Sequence, residues 1–389
     1  MLSITSLQTS SGTIDNFRRE TVSPSGALGQ VQLALLVLAI VLGGILGFAA
    51  HRASICTVRA VAEVMGSRSA AMFTSIGKSW LWVWAVTIPF LWALPAAATG
   101  VTGWQLTAMA IFGGFVFGLG AAFNGACAFS TMARLVDGEG AMVAAIAGFA
   151  LGTVGFSALV DWQWLPRPMS APVLLESALA WAPLLAIGFV LWAIYEAIRL
   201  WRTRTPSQRF VDLILAKRYR LSTAAMLMGL SGALLFLAFG PFGYTATFEL
   251  FVESALGTSV PPSMVRWMLL VAVLAGMLMS TIQRDSFRVD WRPRRAWLMN
   301  IGGGMLMGFG TGLAPGGNDA LVMYGVPTLS PYALPTYLAL VLGTVSGLLL
   351  LRAVFGSKAR AEFRNDVLVS DSWTRPIPSG SDHAPGLSH

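Results

Sequence analysis

The sequence predicts an all-α polytopic membrane protein of the inverted-repeat transporter type, and three observations carry that reading. The first is composition. Of 389 residues, 55% are hydrophobic and 11% charged, with a mean hydropathy of +0.68. A soluble domain carries about 25% charged residues, so this chain cannot cover a water-facing surface. The second is a series of long apolar segments. A membrane span needs about 20 mostly apolar residues. Nine segments meet this: 31–50, 70–98, 104–122, 139–160, 176–199, 221–240, 264–282, 296–313 and 331–353. The third is a glycine pattern that occurs twice. Gly113-Gly114-x-x-x-Gly118-x-Gly120 leads into Asn124-Gly125-Ala126-Cys127, and Gly303-Gly304-x-x-x-Gly308-x-Gly310 leads into Pro315-Gly316-Gly317-Asn318. Interrupted membrane helices at corresponding positions of two half-chains point to a substrate site near the bilayer midplane.

The elements follow in chain order. Residues 1–30 form a polar, Ser/Thr-rich extension with no apolar run before residue 31, which argues against a cleavable signal peptide. Residues 31–198 make the first transmembrane half. Its second segment, 70–98, is too long for one straight span and predicts tilt or a kink at Pro89 or Pro95. Lys78, near its start, reads as a side chain that snorkels to the interface. Residues 199–220 form a basic linker with Arg199, Arg202, Arg204, Arg209, Lys217, Arg218 and Arg220 against Asp212 alone. Residues 221–355 make the second half, and 356–389 read as a polar, disordered tail. Trp104, Trp162, Trp164 and Trp201, at span ends, read as interface anchors.

Loop charge orients the spans. Besides the linker, residues 283–295 and the segment just after the last span are basic, whereas 241–263 carries Glu249 and Glu253 with no base. The positive-inside rule puts the basic segments in the cytoplasm. Nine spans then place the C-terminus inside and the N-terminus outside. The break at Cys127 falls at the cytoplasmic end of its span and the break at Asn318 at the periplasmic end of its own, as an inverted repeat requires. The net charge of +8 lies in the loops, a distribution that argues against nucleic-acid binding.

Glycine at a break lets helices approach closely and lets the backbone leave helical geometry. A helix that restarts after a break presents unpaired N–H groups and the positive end of its dipole, an anion site without formal charge. Ala128–Leu135 and Asp319–Tyr324 are the segments expected to restart. Gly-rich membrane helices also serve close packing alone; the matched spacing of the two breaks favours the site reading. Cys127 reads either as a small buried residue or as a thiol poised at a helix N-terminus to meet a sulfur-containing substrate. Asp319, inside the second break, would repel an anion unless paired or protonated.

A further polar element, His51-Arg52-Ala53-Ser54-Ile55-Cys56-Thr57, has an echo in Gln283-Arg284-Asp285-Ser286-Phe287-Arg288. Gly44 and Gly276 each lie eight residues before the arginine. Arg52, Arg59 and Arg284 read either as cytoplasmic anchors or as charges that draw an anion toward a pore. One conflict remains. The topology puts both arginine elements on the cytoplasmic side, which mates of an inverted repeat would not share. Either the span count of the first half is off by one or the echo is not part of the repeat.

At these residues the chain resembles the YeeE/YedE sulfur-transport family of bacterial inner-membrane proteins. The arginine–cysteine element and the two Gly-rich breaks carry the resemblance, over roughly residues 31–353. It implies an inverted-repeat pore in which cysteines pass thiosulfate by transient thiol–sulfur hydrogen bonds, with Cys127 in the family's first Gly-Gly-Cys element and Cys56 as its arginine-linked cysteine. It also suggests a soluble sulfur-carrier partner. The chain departs from the family pattern at three positions: Asn318 replaces the second-half cysteine, Ala126 stands for a glycine, and Arg288 stands where Cys56 has its echo. Asn318 has an amide to offer an oxyanion but no thiol chemistry.

The expected pathway is thus Cys56, Cys127, Asn124, Gly125, Gly316, Gly317 and Asn318, with Arg52 and Arg284 at its mouth and a small inorganic anion as substrate. A thiol-independent channel of the same fold, a sulfur-relay or redox protein using Cys56 and Cys127, and a membrane scaffold are the competing readings. With two cysteines in the chain and only His51, His383 and His389 as histidines, no metal, haem or flavin site and no cofactor are expected.

Overall fold

The computed structural model describes residues 26–94, 102–172, 181–203, 216, 219–291, 296–356, 359–364 and 367–373. The extension before residue 26, most of the basic linker, Pro95, Arg292, Arg294, Arg295 and residues 374–389 lie outside the described residues, and what the sequence suggests for them stays an expectation.

The protein is all-α. In the first half, α1 (Gly26–Ala53), α2 (Thr57–Ser67), α3 (Ala71–Ala93), α4 (Ala108–Asn124), α5 (Ala128–Val136) and α6 (Ala141–Asp161) are followed by α7 (Ala182–Arg202). The second half holds α8 (Leu221–Phe239), α9 (Tyr244–Ala255), α10 (Met264–Arg284), α11 (Ala296–Leu313), α12 (Gly317–Ala320) with a π-turn at Leu321–Gly325, and α13 (Ala333–Phe355). A short two-stranded antiparallel sheet, β1 (Thr102–Trp104) with β2 (Ser170–Pro172), links two loops.

Among the described residues, seven helical stretches are long and apolar enough to cross a membrane: Leu33–Ser67, Ala108–Val136, Ala141–Asp161, Pro183–Arg202, Leu221–Phe239, Met264–Arg284 and Ala333–Phe355. The first two join α1 to α2 and α4 to α5 across their breaks. The other two expected segments are helical as well, as α3 and α11. Helix α3 runs through Pro89 without interruption. Large apolar side chains such as Ile40, Leu191, Ile194 and Leu342 face outward, as a protein with lipid for solvent requires.

Glycines set how the helices cross. A methyl group on Gly113 would meet Gly310 and Leu313, and one on Gly120 would meet Gly303 and Leu306, so α4 and α11 run antiparallel with the two glycine motifs face to face. Gly114 meets Thr336 and Gly118 meets Leu340, so α4 runs parallel to α13; Gly304 meets Ala145 and Gly308 meets Phe149, so α11 runs parallel to α6. A methyl on Gly118 would lie 1.9 Å from the Leu340 carbonyl oxygen, and one on Gly308 would lie 2.0 Å from that of Phe149. Only glycine permits backbones this close, the small-residue packing of membrane helices. Two further pairs are parallel: α1 with α10, where Gly44 meets Gly276, and α3 with α8, where Ser79 and Trp82 meet Gly229.

Charged residues at one end of the bundle are paired. The carboxylate of Glu63 accepts the N–H groups of Ala71 and Met72, both at 2.9 Å, and so caps α3. Lys78 does not simply snorkel. Its ammonium lies 3.0 Å from buried Glu196, which Arg199 also clamps with two hydrogen bonds of 2.6 and 2.7 Å. This cluster fastens α7 to α3. The tail contains order that its composition did not suggest: β3 (Ala359–Arg364) and β4 (Val367–Trp373) pair antiparallel, and β3 lies against α2.

Candidate functional site

Among the described residues, four interruptions each end in a restarted helix. Ser54, with φ of 52°, turns the chain after α1, and extended Cys56 becomes the N-cap of α2. Gly125, with φ of 72°, ends α4 in the left-handed conformation, and extended Cys127 becomes the N-cap of α5. Gly240 ends α8 and Gly243 caps α9; Gly316 caps α12.

The two cysteines come together. Their side chains are neighbours, although 71 residues separate them (127 − 56), and both are buried. The Ser130 hydroxyl lies beside the Cys56 sulfur, and the backbone N–H groups of Thr57 and Ser130 lie beside the Cys127 sulfur. Neither thiol caps its helix by a hydrogen bond. Two helix N-termini therefore aim N–H groups and dipoles at one sulfur pair. The guanidinium of Arg59 adds positive potential within electrostatic range of Cys56.

The second break reaches the same region. Helix α12 touches α5, and both meet the start of α9. The ring of Phe129 packs edge-on against Tyr244 at 5.2 Å. Thr245 donates its backbone N–H to Asp319 at 3.1 Å and its hydroxyl both to Asp319 and to the Gly316 carbonyl, the latter at 2.6 Å. Asp319 is thus held by neutral donors, which fix its place without cancelling a charge. Gly317 lies against Phe117 and Thr245. A cavity of about 30 Å³ sits between α5 and α9, lined by Ala128, Thr131, Phe149, Tyr244, Thr245 and Met307 among others.

The remaining expected residues have other tasks. Asn124 is spent on the backbone: its amide donates to the Ala126 carbonyl at 3.0 Å and to Thr131 at 2.8 Å, and its side-chain oxygen accepts from Asn300 at 2.8 Å. It shapes the break. Arg52 is 1% exposed. It donates to Ser280, Gln283 and the Ala216 carbonyl, and its guanidinium lies over the rings of Phe48 and Tyr219. Arg284 donates to the His51 carbonyl at 3.3 Å. Because α1 and α10 are parallel, these two arginines share one end of the bundle. The echo therefore belongs to two parallel helices and not to mates of an inverted repeat, which removes the conflict met in the sequence.

Asp137 closes the same end. His51 Nε2, Thr281 and Ser286 reach its Oδ1 at 3.1, 3.0 and 2.7 Å. Burial pushes this carboxyl up, but the hydrogen bonds and charge of His51, with the two hydroxyls, outweigh it and hold the group below the usual carboxylate range.

Sequence reasoning missed Ser130, Tyr244 and Tyr337. Tyr337, on α13, lies across Thr57 and within electrostatic range of both sulfurs, as does Tyr244. One signal was available for Tyr244, which directly follows the Gly240-Pro241-Phe242-Gly243 interruption. Nothing in the sequence placed Tyr337 there, because α13 reads as an ordinary span. Among the described residues, no group of three or more His, Cys, Asp or Glu side chains is placed to hold a metal ion.

Comparison with known proteins bears on this arrangement. The profile of the family described as sulphur transport matches residues 52–346, which includes all four interruptions and both cysteines. No curated protein gives a significant match. The profile covers most of the chain, and the chain accordingly belongs to the YeeE/YedE sulphur transport family.

Proposed function

We propose that the protein moves a small sulfur-containing anion, thiosulfate or a close relative, across the bacterial inner membrane by way of Cys56, Cys127 and Asn318. The observation that carries this reading is the thiol pair at the meeting of two helix N-termini. Anions are attracted there by N–H groups and dipoles instead of by a buried cation, which would hold them too tightly to release. A thiol is a weak donor and a soft, polarisable contact for a terminal sulfur. Its hydrogen bonds form and break without covalent change, so no oxidant is needed.

The inverted repeat belongs to the same proposal. Pairing α1–α6 with α8–α13 makes α4 the mate of α11 and α3 the mate of α10. The packing supports it: α4 and α11 are antiparallel, with the first glycine of each motif against the last of the other, and the α4/α13 contact is repeated as α11/α6. On this pairing α7 is an insertion between halves. With the basic segments inside, the C-terminus is cytoplasmic and the N-terminus periplasmic.

A second reading, a sulfur relay in which the cysteines exchange sulfur, is favoured by the same proximity of the thiols. A Cys56–Cys127 disulfide or a stable persulfide in the purified protein would support it. The deciding experiment is uptake of radiolabelled thiosulfate by cells without their own importers, carrying wild-type protein or Cys127→Ala. Uptake that needs Cys127 supports the proposed route. Equal uptake by both points to a thiol-independent channel, and none by well-expressed wild type points to another substrate.

A further inference from the structure

Most buried hydroxyls among the described residues are used. Thr87, Thr153, Thr247, Thr311 and Thr344 donate back to the carbonyl one turn earlier, and Thr131 does so to Cys127 at 3.0 Å. Five buried hydroxyls depart from that habit and have no well-formed hydrogen bond: Ser130, Ser157, Tyr244, Thr336 and Tyr337. Three of them, Ser130, Tyr244 and Tyr337, lie around the thiols, where the polar neighbours of Ser130 and Tyr337 are Cys56 and Thr57. Trp80, whose indole N–H is also without a partner, packs edge-on against Tyr337 at 5.5 Å. An orphaned buried donor costs free energy, and its survival in a folded protein calls for a ligand or a bound water. These donors come from α3, α5, α9 and α13, yet Ser130 lies beside the Cys56 sulfur and both tyrosines lie within electrostatic range of both sulfurs.

We infer that Ser130, Tyr244 and Tyr337 form an oxyanion subsite next to the thiol pair. The site takes an anion with two chemically different ends: a soft sulfur for Cys56 and Cys127, and anionic oxygens that accept from the hydroxyls. This rests on the proposed transport of a sulfur-containing anion and adds the basis of its selectivity. Hydroxyls donate to a sulfonate without balancing its charge, so they orient the ion without trapping it.

The test uses Tyr337→Phe, Tyr244→Phe and Ser130→Ala in the full chain, with labelled thiosulfate as substrate and thiocyanate as competitor. Thiocyanate is an anion with a soft sulfur and no oxygen. Each substitution is expected to raise the half-saturating thiosulfate concentration roughly tenfold, the effect of one lost hydrogen bond to a charged group. Competition by thiocyanate stays as in wild type, and thermal unfolding of the substrate-free protein in detergent stays the same or shifts upward, because an unsatisfied group has been removed. Wild-type saturation in all three variants overturns the subsite, and if uptake still depends on Cys127 the transport reading survives. Equal weakening of thiosulfate and thiocyanate, with a lowered unfolding temperature, assigns the hydroxyls to packing and also overturns it. Wild-type protein that takes up neither thiosulfate, sulfite nor sulfate overturns the subsite and the transport reading together.

Discussion

Two junctions in this molecule use one backbone device for opposite electrostatic ends. At the first, the restarts of α2 and α5 meet, and the residues at the caps are Cys56 and Cys127. At the second, the restarts of α9 and α12 meet, and the residues at the caps are Gly243 and Gly316, with Asn318 and Asp319 inside the first turn of α12. The first junction keeps its donors open: thiols without a capping bond, and hydroxyls without partners. The second is closed by its own carboxylate, which takes the Thr245 N–H and hydroxyl. The Asn318 side-chain oxygen is left there without a partner, and the Tyr244 hydroxyl at the start of α9 is turned to the first junction. A helix N-terminus attracts an anion only while its N–H groups are unclaimed. On the proposed route, an ion is therefore held at the first junction and passes the second against a fixed negative charge.

The sharpest way to break this comparison is at the first junction. Cys127→Ala is expected to lower thiosulfate uptake by at least tenfold with little change in unfolding temperature, since a small buried residue replaces another. An equal loss on replacing Asn318 with alanine would make the junctions functionally alike. Next comes the frame that holds both. Gly118→Ala forces a methyl against the Leu340 carbonyl and is expected to cost about 3 kcal/mol or more in unfolding measurements. Gly155→Ala, where nothing lies within 4 Å, should be neutral or stabilising by up to about 1 kcal/mol.

At the second junction, Asp319→Ala strands the Thr245 donors and is expected to destabilise by about 1–3 kcal/mol. Asp319→Asn keeps an acceptor and removes the charge, so it should leave stability within about 1 kcal/mol while raising uptake severalfold. Reduced uptake in Asp319→Asn would mean that the carboxylate assists passage. The smallest effect is expected away from both junctions. Asp137 titrates below the usual range when folded, so its contribution is present above about pH 4, the unfolded carboxylate value, and is lost as pH falls through its lower folded value. Unfolding temperatures of wild type and Asp137→Asn should differ by a constant amount from about pH 7 to 5 and converge in more acid solution.

Much of this was legible in the sequence, for local reasons. Apolar length and low charge determined a helical membrane protein. The doubled glycine motif located two breaks, because glycine takes the left-handed φ of Gly125 without strain and is the residue that permits the backbone contact at Gly118. The cysteines were visible as candidates because each follows a break. What the tertiary structure decided is who meets whom. The adjacency of Cys56 and Cys127, the arrival of Tyr337 from α13, and the capping of α9 by Asp319 join residues far apart in the chain, and no periodicity encodes such contacts. Arg52 and Lys78 show the same limit. As letters in a sequence they are interface charges; in the fold they are held by Gln283 and Glu196. A sequence fixes which groups must avoid lipid, but the partners that satisfy them are chosen by packing, since a buried donor is indifferent to how far along the chain its acceptor lies.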